Sequence, residues 1–147
     1  MQLPNSFTFS DESLFIRRIP QNPDFLIPNV MTGKRDLKAN AAFQFDEDGM
    51  SVSSAELLDQ AGFDARNFCD WNRYSAVKFP ASAPRSTRLA DVVYDPVDGH
   101  LGFAHALVVP IVRLTRESKR DLRVALAFAS RWLAEDPNFS ELGSVLP

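Results

Sequence analysis

Ser118-Lys119-Arg120-Asp121-Leu122-Arg123-Val124-Ala125-Leu126-Ala127-Phe128-Ala129-Ser130-Arg131-Trp132-Leu133-Ala134-Glu135 is the stretch that decides the fold class. Leu122, Ala125, Leu126, Ala129, Trp132 and Leu133 recur three and four apart, which puts them on one stripe of an amphipathic helix. Ser118 reads as its N-cap with Asp121 at N3, and Asp136-Pro137 reads as its stop. Upstream the periodicity changes. Residues 88–94 and 103–109 are rich in apolar and β-branched side chains and read as two central strands, joined by a turn at Asp95-Pro96-Val97-Asp98-Gly99.

Further toward the N-terminus, residues 14–19 and 75–79 read as strands, and residues 41–45 as a short one. Residues 80–84 read as a small-residue loop, and 63–73 as ambiguous between coil and a second short helix. Asp46-Glu47-Asp48-Gly49 is a turn. Ser53-Ser54-Ala55-Glu56 fits a capping box with Ser53 as N-cap and Glu56 reaching back, opening a helix over 54–61 that Gly62 ends. Pro20, Pro23 and Pro28 argue for an irregular stretch over 20–38, with an exposed turn at Met31-Thr32-Gly33-Lys34-Arg35. The order is strands, a short helix, strands, then a long C-terminal helix. It predicts an α+β fold: one domain over 1–147, a mostly antiparallel mixed sheet with the long helix packed on it. Residues 1–12 and 138–147 are expected at its periphery, with Phe7 and Phe9 alternating as in a short edge strand.

A chain of 147 residues buries roughly two-thirds of its unfolded surface and needs no covalent staple to fold. Twelve Phe against two Tyr predict a dry, Phe-rich core. The net charge of −3 gives no global attraction to nucleic acid or to an anionic bilayer, so nucleic-acid binding and membrane association are not expected. No apolar run approaches the roughly 20 residues of a membrane span, and the first residues lack the pattern of a signal peptide. The single cysteine, Cys69, forms no intrachain disulfide and sits beside Asp70, which disfavours a reactive thiolate; it reads as a small packed residue. These features together predict a cytoplasmic protein.

Charges inside apolar runs need partners and are therefore the seeds of a site. Arg17-Arg18 lies in the first strand, where neighbouring side chains face opposite ways, so only one enters a given pocket. A buried arginine wants a carboxylate or a phosphate: either a structural ion pair, with Asp95 as the candidate, or an anionic ligand. His105, between Ala104 and Ala106, is either a core histidine or a general acid/base with a useful near-neutral pKa. Ser51 and Asp95 are the candidates to orient a ligand beside it, Ser51 having a capping role as its plain alternative. Arg116, Lys119 and Arg120 open the long helix, and Arg116, Arg120 and Arg123 fall at i, i+4 and i+7 on one stripe. Cations there oppose the helix macrodipole, and a bound anion or acidic protein would relieve the conflict; otherwise they form a solvated face.

No metal site is expected. Gln44, Asp46, Asp48 and Gly49 echo the start of a calcium loop, but Gln44 replaces its first carboxylate and Ala55 its bidentate Glu. His100 and His105 with Asp95 and Asp98 fall short of a zinc ligand set. No nucleophile elbow, P-loop or dinucleotide fingerprint is present, and no cofactor is implied.

Ile16-Arg17-Arg18-Ile19-Pro20, Ala41-Ala42-Phe43, Gly49-Met50-Ser51-Val52, Asp95-Pro96 and His105-Ala106 together resemble the short recurring words of a group of small bacterial proteins to which no activity is attached. The resemblance spans about residues 14 to 110, and Asn40-Ala41-Ala42-Phe43 departs from it where a serine recurs. A second likeness is to the ADP-ribosyltransferase class, whose early strand arginine Arg17 or Arg18 resembles; its late strand glutamate has no counterpart, since Glu117 and Glu135 fall at or in the final helix. With no complete catalytic constellation, the first expectation is a non-enzymatic accessory protein of a bacterial operon that binds a protein partner. The alternative is an enzyme or binding domain for a phosphate-bearing small molecule or nucleotide, with Arg17 or Arg18 on the anion and His105 as acid/base.

Overall fold

The computed structural model describes residues 7–46, 48–64, 67–68, 70–133 and 142–147. In chain order the elements are β1 (Leu14–Pro20), β2 (Leu26–Asn29), β3 (Lys34–Lys38), α1 (Ala39–Ala42), β4 (Met50–Ser54), α2 (Ala55–Gln60), β5 (Tyr74–Pro80), α3 (Ser82–Ser86), β6 (Ala90–Tyr94), β7 (His105–Pro110), α4 (Arg116–Ala129), β8 (Arg131–Trp132) and β9 (Leu142–Leu146). They make a single small α+β domain with a six-stranded antiparallel sheet in the order β6-β7-β4-β1-β5-β8 and a three-stranded sheet in the order β2-β3-β9. Interior strands have both faces covered, which is why β1 buries Phe15, Ile16 and Ile19, and β5 buries Ala76, Val77 and Phe79.

The core is phenylalanine-rich, as the composition predicts. Phe79 lies 6.4 Å from Phe15 and 6.3 Å from Phe43 between ring centroids, and Phe9 meets Phe15 edge-on at 4.8 Å. Helix α4 drives Leu122 and Leu126 into this core and packs against α1, α3, β5 and β9. Among the described residues no helix is long and apolar enough to cross a membrane.

Several elements differ from the sequence expectation. The stretch 20–38 holds the β2–β3 hairpin, because Pro28 sits on an edge strand where it breaks no ladder. Residues 39–42 form one helical turn instead of a strand, and the apolar Phe43 and Phe45 beyond it are core anchors. The cap of α2 is Ser54, whose buried hydroxyl accepts from the Leu57 N–H at 3.1 Å, while Glu56 accepts from the Ser13 hydroxyl at 3.1 Å. Helix α4 starts earlier, at Arg116, because Thr115 and Ser118 form a reciprocal capping box, and it ends at Ala129. Trp132 leaves that helix for β8 and donates its indole N–H to the Gly143 carbonyl at 2.6 Å. The strand read over 88–94 begins at Ala90, since Arg88 takes a left-handed φ of 62°, and β6 is an edge strand, not a central one.

Among the described residues, those nearest each end take part in the fold. Phe9 is buried, and β9 pairs in parallel with β3 where a tail is expected. The buried Asp36 carboxylate secures this second sheet, accepting from the Asn29 amide and the Ser144 N–H, each at 2.8 Å. Cys69, part of 63–73 and the predicted helix end at 135–137 lie outside the described residues.

Candidate functional site

The site begins with a fault in the sheet. Strand β1 pairs with β5 along its whole length, from Leu14↔Pro80 to Pro20↔Tyr74, but with β4 only at Phe15↔Ser54 and Ile16↔Ser53. Extending that register would set Arg17 against Val52 and Arg18 against Ser51; those pairs are not formed, and the two strands diverge. The fork opens into a cleft of about 290 Å³ lined by Arg17, Arg18, Ser51, Ser53, Tyr74 and His105, with Phe25, Phe68 and Gln44 around them.

Arg17 bridges the fork. Its Nη1 donates to the Ser51 carbonyl at 2.8 Å and its Nε to the Ala42 carbonyl at 3.2 Å. The side chain thereby serves a β4 carbonyl that has no β1 amide to pair with. Burial, then the adjacent charge of Arg18, lowers the Arg17 pKa from its ordinary value, while Asp46 acts in the opposite direction. The ion pair with Asp95 that the sequence suggests is not made: backbone carbonyls satisfy Arg17, and Asp95 turns to His105.

Arg18 lines the same cleft and stays exposed, so both arginines border it where strand alternation would admit only one. Its guanidinium carbon lies 5.6 Å from the Phe68 ring centroid and 5.4 Å from that of Tyr74, so two aromatic rings hold it. Among the described residues no carboxylate pairs with it.

His105 Nδ1 is 2.7 Å from the Asp95 carbonyl oxygen and 3.2 Å from its carboxylate. A carbonyl only accepts, so Nδ1 carries the proton and donates, leaving Nε2 as the acceptor of the neutral ring. Register sets Ser53 directly across from His105, and Ser51 across from Leu107 one diagonal step away.

Ser51 and His105 also line an adjoining recess with Asp46, Asp48, Gly49, Asp95 and Leu107. The cleft is therefore basic at its β1 side and acidic beyond His105. The acidic turn is closed on itself, the Asp48 N–H donating to the Asp46 carboxylate at 2.9 Å. Among the described residues no three His, Cys, Asp or Glu side chains are placed to hold a metal ion.

No protein-family model, curated protein or solved structure matches this chain.

The structure thus gathers Arg17, Arg18, Ser51 and His105 in one cleft, with Asp95 in the recess that shares His105. No glutamate is among the described residues that line it. Arg116 and Arg120 stand elsewhere, with Arg123, in a groove of about 880 Å³ on α4 that also takes in Asn40 and Val124; Lys119 is not part of its lining. The segment around α1 separates the two basic regions and is held by both, since Arg123 Nε donates to the Phe43 carbonyl at 3.0 Å. Sequence reasoning missed Ser53, Phe25, Phe68 and Tyr74. Strand alternation held the signal for Ser53, which shares a face with Ser51; the three aromatic residues come from distant segments and had none.

Proposed function

We propose that the protein binds a small phosphate-bearing molecule of nucleotide type in the cleft between β1 and β4. The observation that carries this reading is Arg18: a guanidinium held by Phe68 and Tyr74, without a carboxylate partner among the described residues, at the wall of a cleft. Such a group offers a forked set of donors to a phosphate at little conformational cost. Arg17 is spent on the backbone and adds positive field rather than a second clamp. The Ser51 and Ser53 hydroxyls and His105 Nε2 supply polar contacts to the non-anionic part of the ligand, and Phe25, Phe68 and Tyr74 supply apolar and stacking surface. A volume of about 290 Å³ is at the small end of ligand cavities, which suits one compact molecule.

The test is calorimetric titration of the full chain with AMP, adenosine and inorganic phosphate. AMP binds more tightly than adenosine, and Arg18→Gln weakens AMP by about tenfold to a hundredfold, the value of one charge-assisted contact. Equal affinity for AMP and adenosine, or an Arg18→Gln variant that binds AMP like the parent, overturns the reading.

A further inference from the structure

The groove on α4 has chemistry of its own. Arg116 and Arg120 are exposed, and among the described residues neither has a carboxylate within ion-pair distance. Arg123 beside them is anchored through Nε to the Phe43 carbonyl, which fixes its direction. Cations over the first turns of a helix oppose its dipole, so the free protein holds them at a cost that an anionic partner would offset. The helix end itself is already served: the Ser118 N–H donates to Thr115 Oγ1 at 3.1 Å, and the Thr115 N–H to Ser118 Oγ at 2.7 Å. A lone phosphate on the helix terminus would displace those bonds. Recognition here falls to the side chains along the helix.

We propose that this groove docks an extended acidic segment of a partner protein. Arg116 and Arg120 are four residues apart, about 6 Å along the helix axis. Alternate side chains of an extended strand repeat at about 6.6 Å, so carboxylates at every second position meet successive arginines. Asn40, exposed at the groove wall, carries an amide donor and acceptor suited to a peptide backbone. Val124 adds an apolar contact. Glu117 lies in the same groove and breaks the uniform positive field that a phosphodiester chain needs; a peptide can set a neutral residue against it.

The experiment is an NMR titration of the isotopically labelled full chain with a peptide of alternating Glu and Ala, and separately with a thymidine oligonucleotide of equal charge. The peptide shifts the amides of Asn40, Arg116, Glu117, Arg120, Arg123 and Val124. Arg116→Glu combined with Arg120→Glu weakens it about tenfold or more, and Arg116→Lys with Arg120→Lys retains most of the affinity. If the charge-reversed chain does not fold, Arg120→Gln alone reports the loss. No shift in the groove at millimolar peptide, an equal or stronger response to the oligonucleotide, or undiminished binding by a folded charge-reversed chain overturns the proposal.

Discussion

Replacing Arg17 by Met tests the central claim about the fork. Methionine keeps most of the apolar stem and volume but removes the guanidinium, and with it the bonds to the Ser51 and Ala42 carbonyls at 2.8 and 3.2 Å. A hydrogen bond with one charged partner contributes roughly 1.5–3 kcal/mol, so the two together are worth several kcal/mol gross. Part of that is offset, because burial desolvates the Arg17 charge and Arg18 repels it, both of which lower its pKa. The net expectation is a loss of about 2 kcal/mol, or about 4–8 °C in Tm for a chain of this size. Urea unfolding is the assay, with an unchanged m-value confirming that the same surface is exposed. Arg17→Lys has one ammonium and cannot reach both carbonyls, so it retains about half of the contribution. A change below about 0.5 kcal/mol for Arg17→Met, or a lysine variant as stable as the parent, refutes the bridging argument.

Three further outcomes follow from the same geometry. Ser54→Ala loses about 1 kcal/mol of stability in urea unfolding through the lost cap of α2, whereas Ser53→Ala is close to neutral; the reverse ranking would restore Ser53 as the cap. Gly49→Ala destabilises more than Gly62→Ala in thermal melts: both have positive φ, but only at Gly49 does a Cβ meet the Val108 carbonyl oxygen at 2.5 Å. Arg85 sits between Asp91 at 2.6 Å and Asp11 at 2.8 Å; burial works to lower its pKa, but its hydrogen bonds to the two carboxylates leave it raised. A raised folded-state pKa gives stability that is fully present below the guanidinium range and lost only as pH rises through it. Arg85→Gln therefore costs about 0.5–1 kcal/mol after solvent screening, by the same amount at neutral and mildly alkaline pH, as paired urea curves would show.

Periodicity reads what is local and repeated. Leu122 and Leu126 announce α4, and the apolar runs announce β1, β5 and β7 to within a residue or two, because burial on a regular element writes itself into spacing. The α+β class follows from their order. The β2–β3 hairpin hides behind Pro20, Pro23 and Pro28, since proline is harmless on an edge and ruinous in a centre, and a single chain does not say which it will be. β9 escapes because its partner β3 is a hundred residues away, roughly, and parallel pairing leaves no turn to find. At the site, the chemistry of Arg17, Arg18, Ser51 and His105 was visible as polar residues in apolar runs, but their roles were not. Arg17 finds carbonyls where the sequence suggests a carboxylate, and the rings that hold Arg18 arrive from segments with no local pattern.

The short seam between β1 and β4 makes the six strands into two leaves, β6-β7-β4 and β1-β5-β8, stitched by two residue pairs and latched by one arginine. Within each leaf the adjoining long strands share four or more consecutive pairs, so each is the tougher fabric. Partial unfolding will therefore tear along the seam, with β6-β7-β4 and β1-β5 departing as units and β8, held to β5 by two pairs, free to leave on its own, and amide exchange should divide the long strands into two protection classes there. A ligand in the cleft touches both leaves at once. Its arrival would register not only where it sits but as slower exchange along the whole tear line.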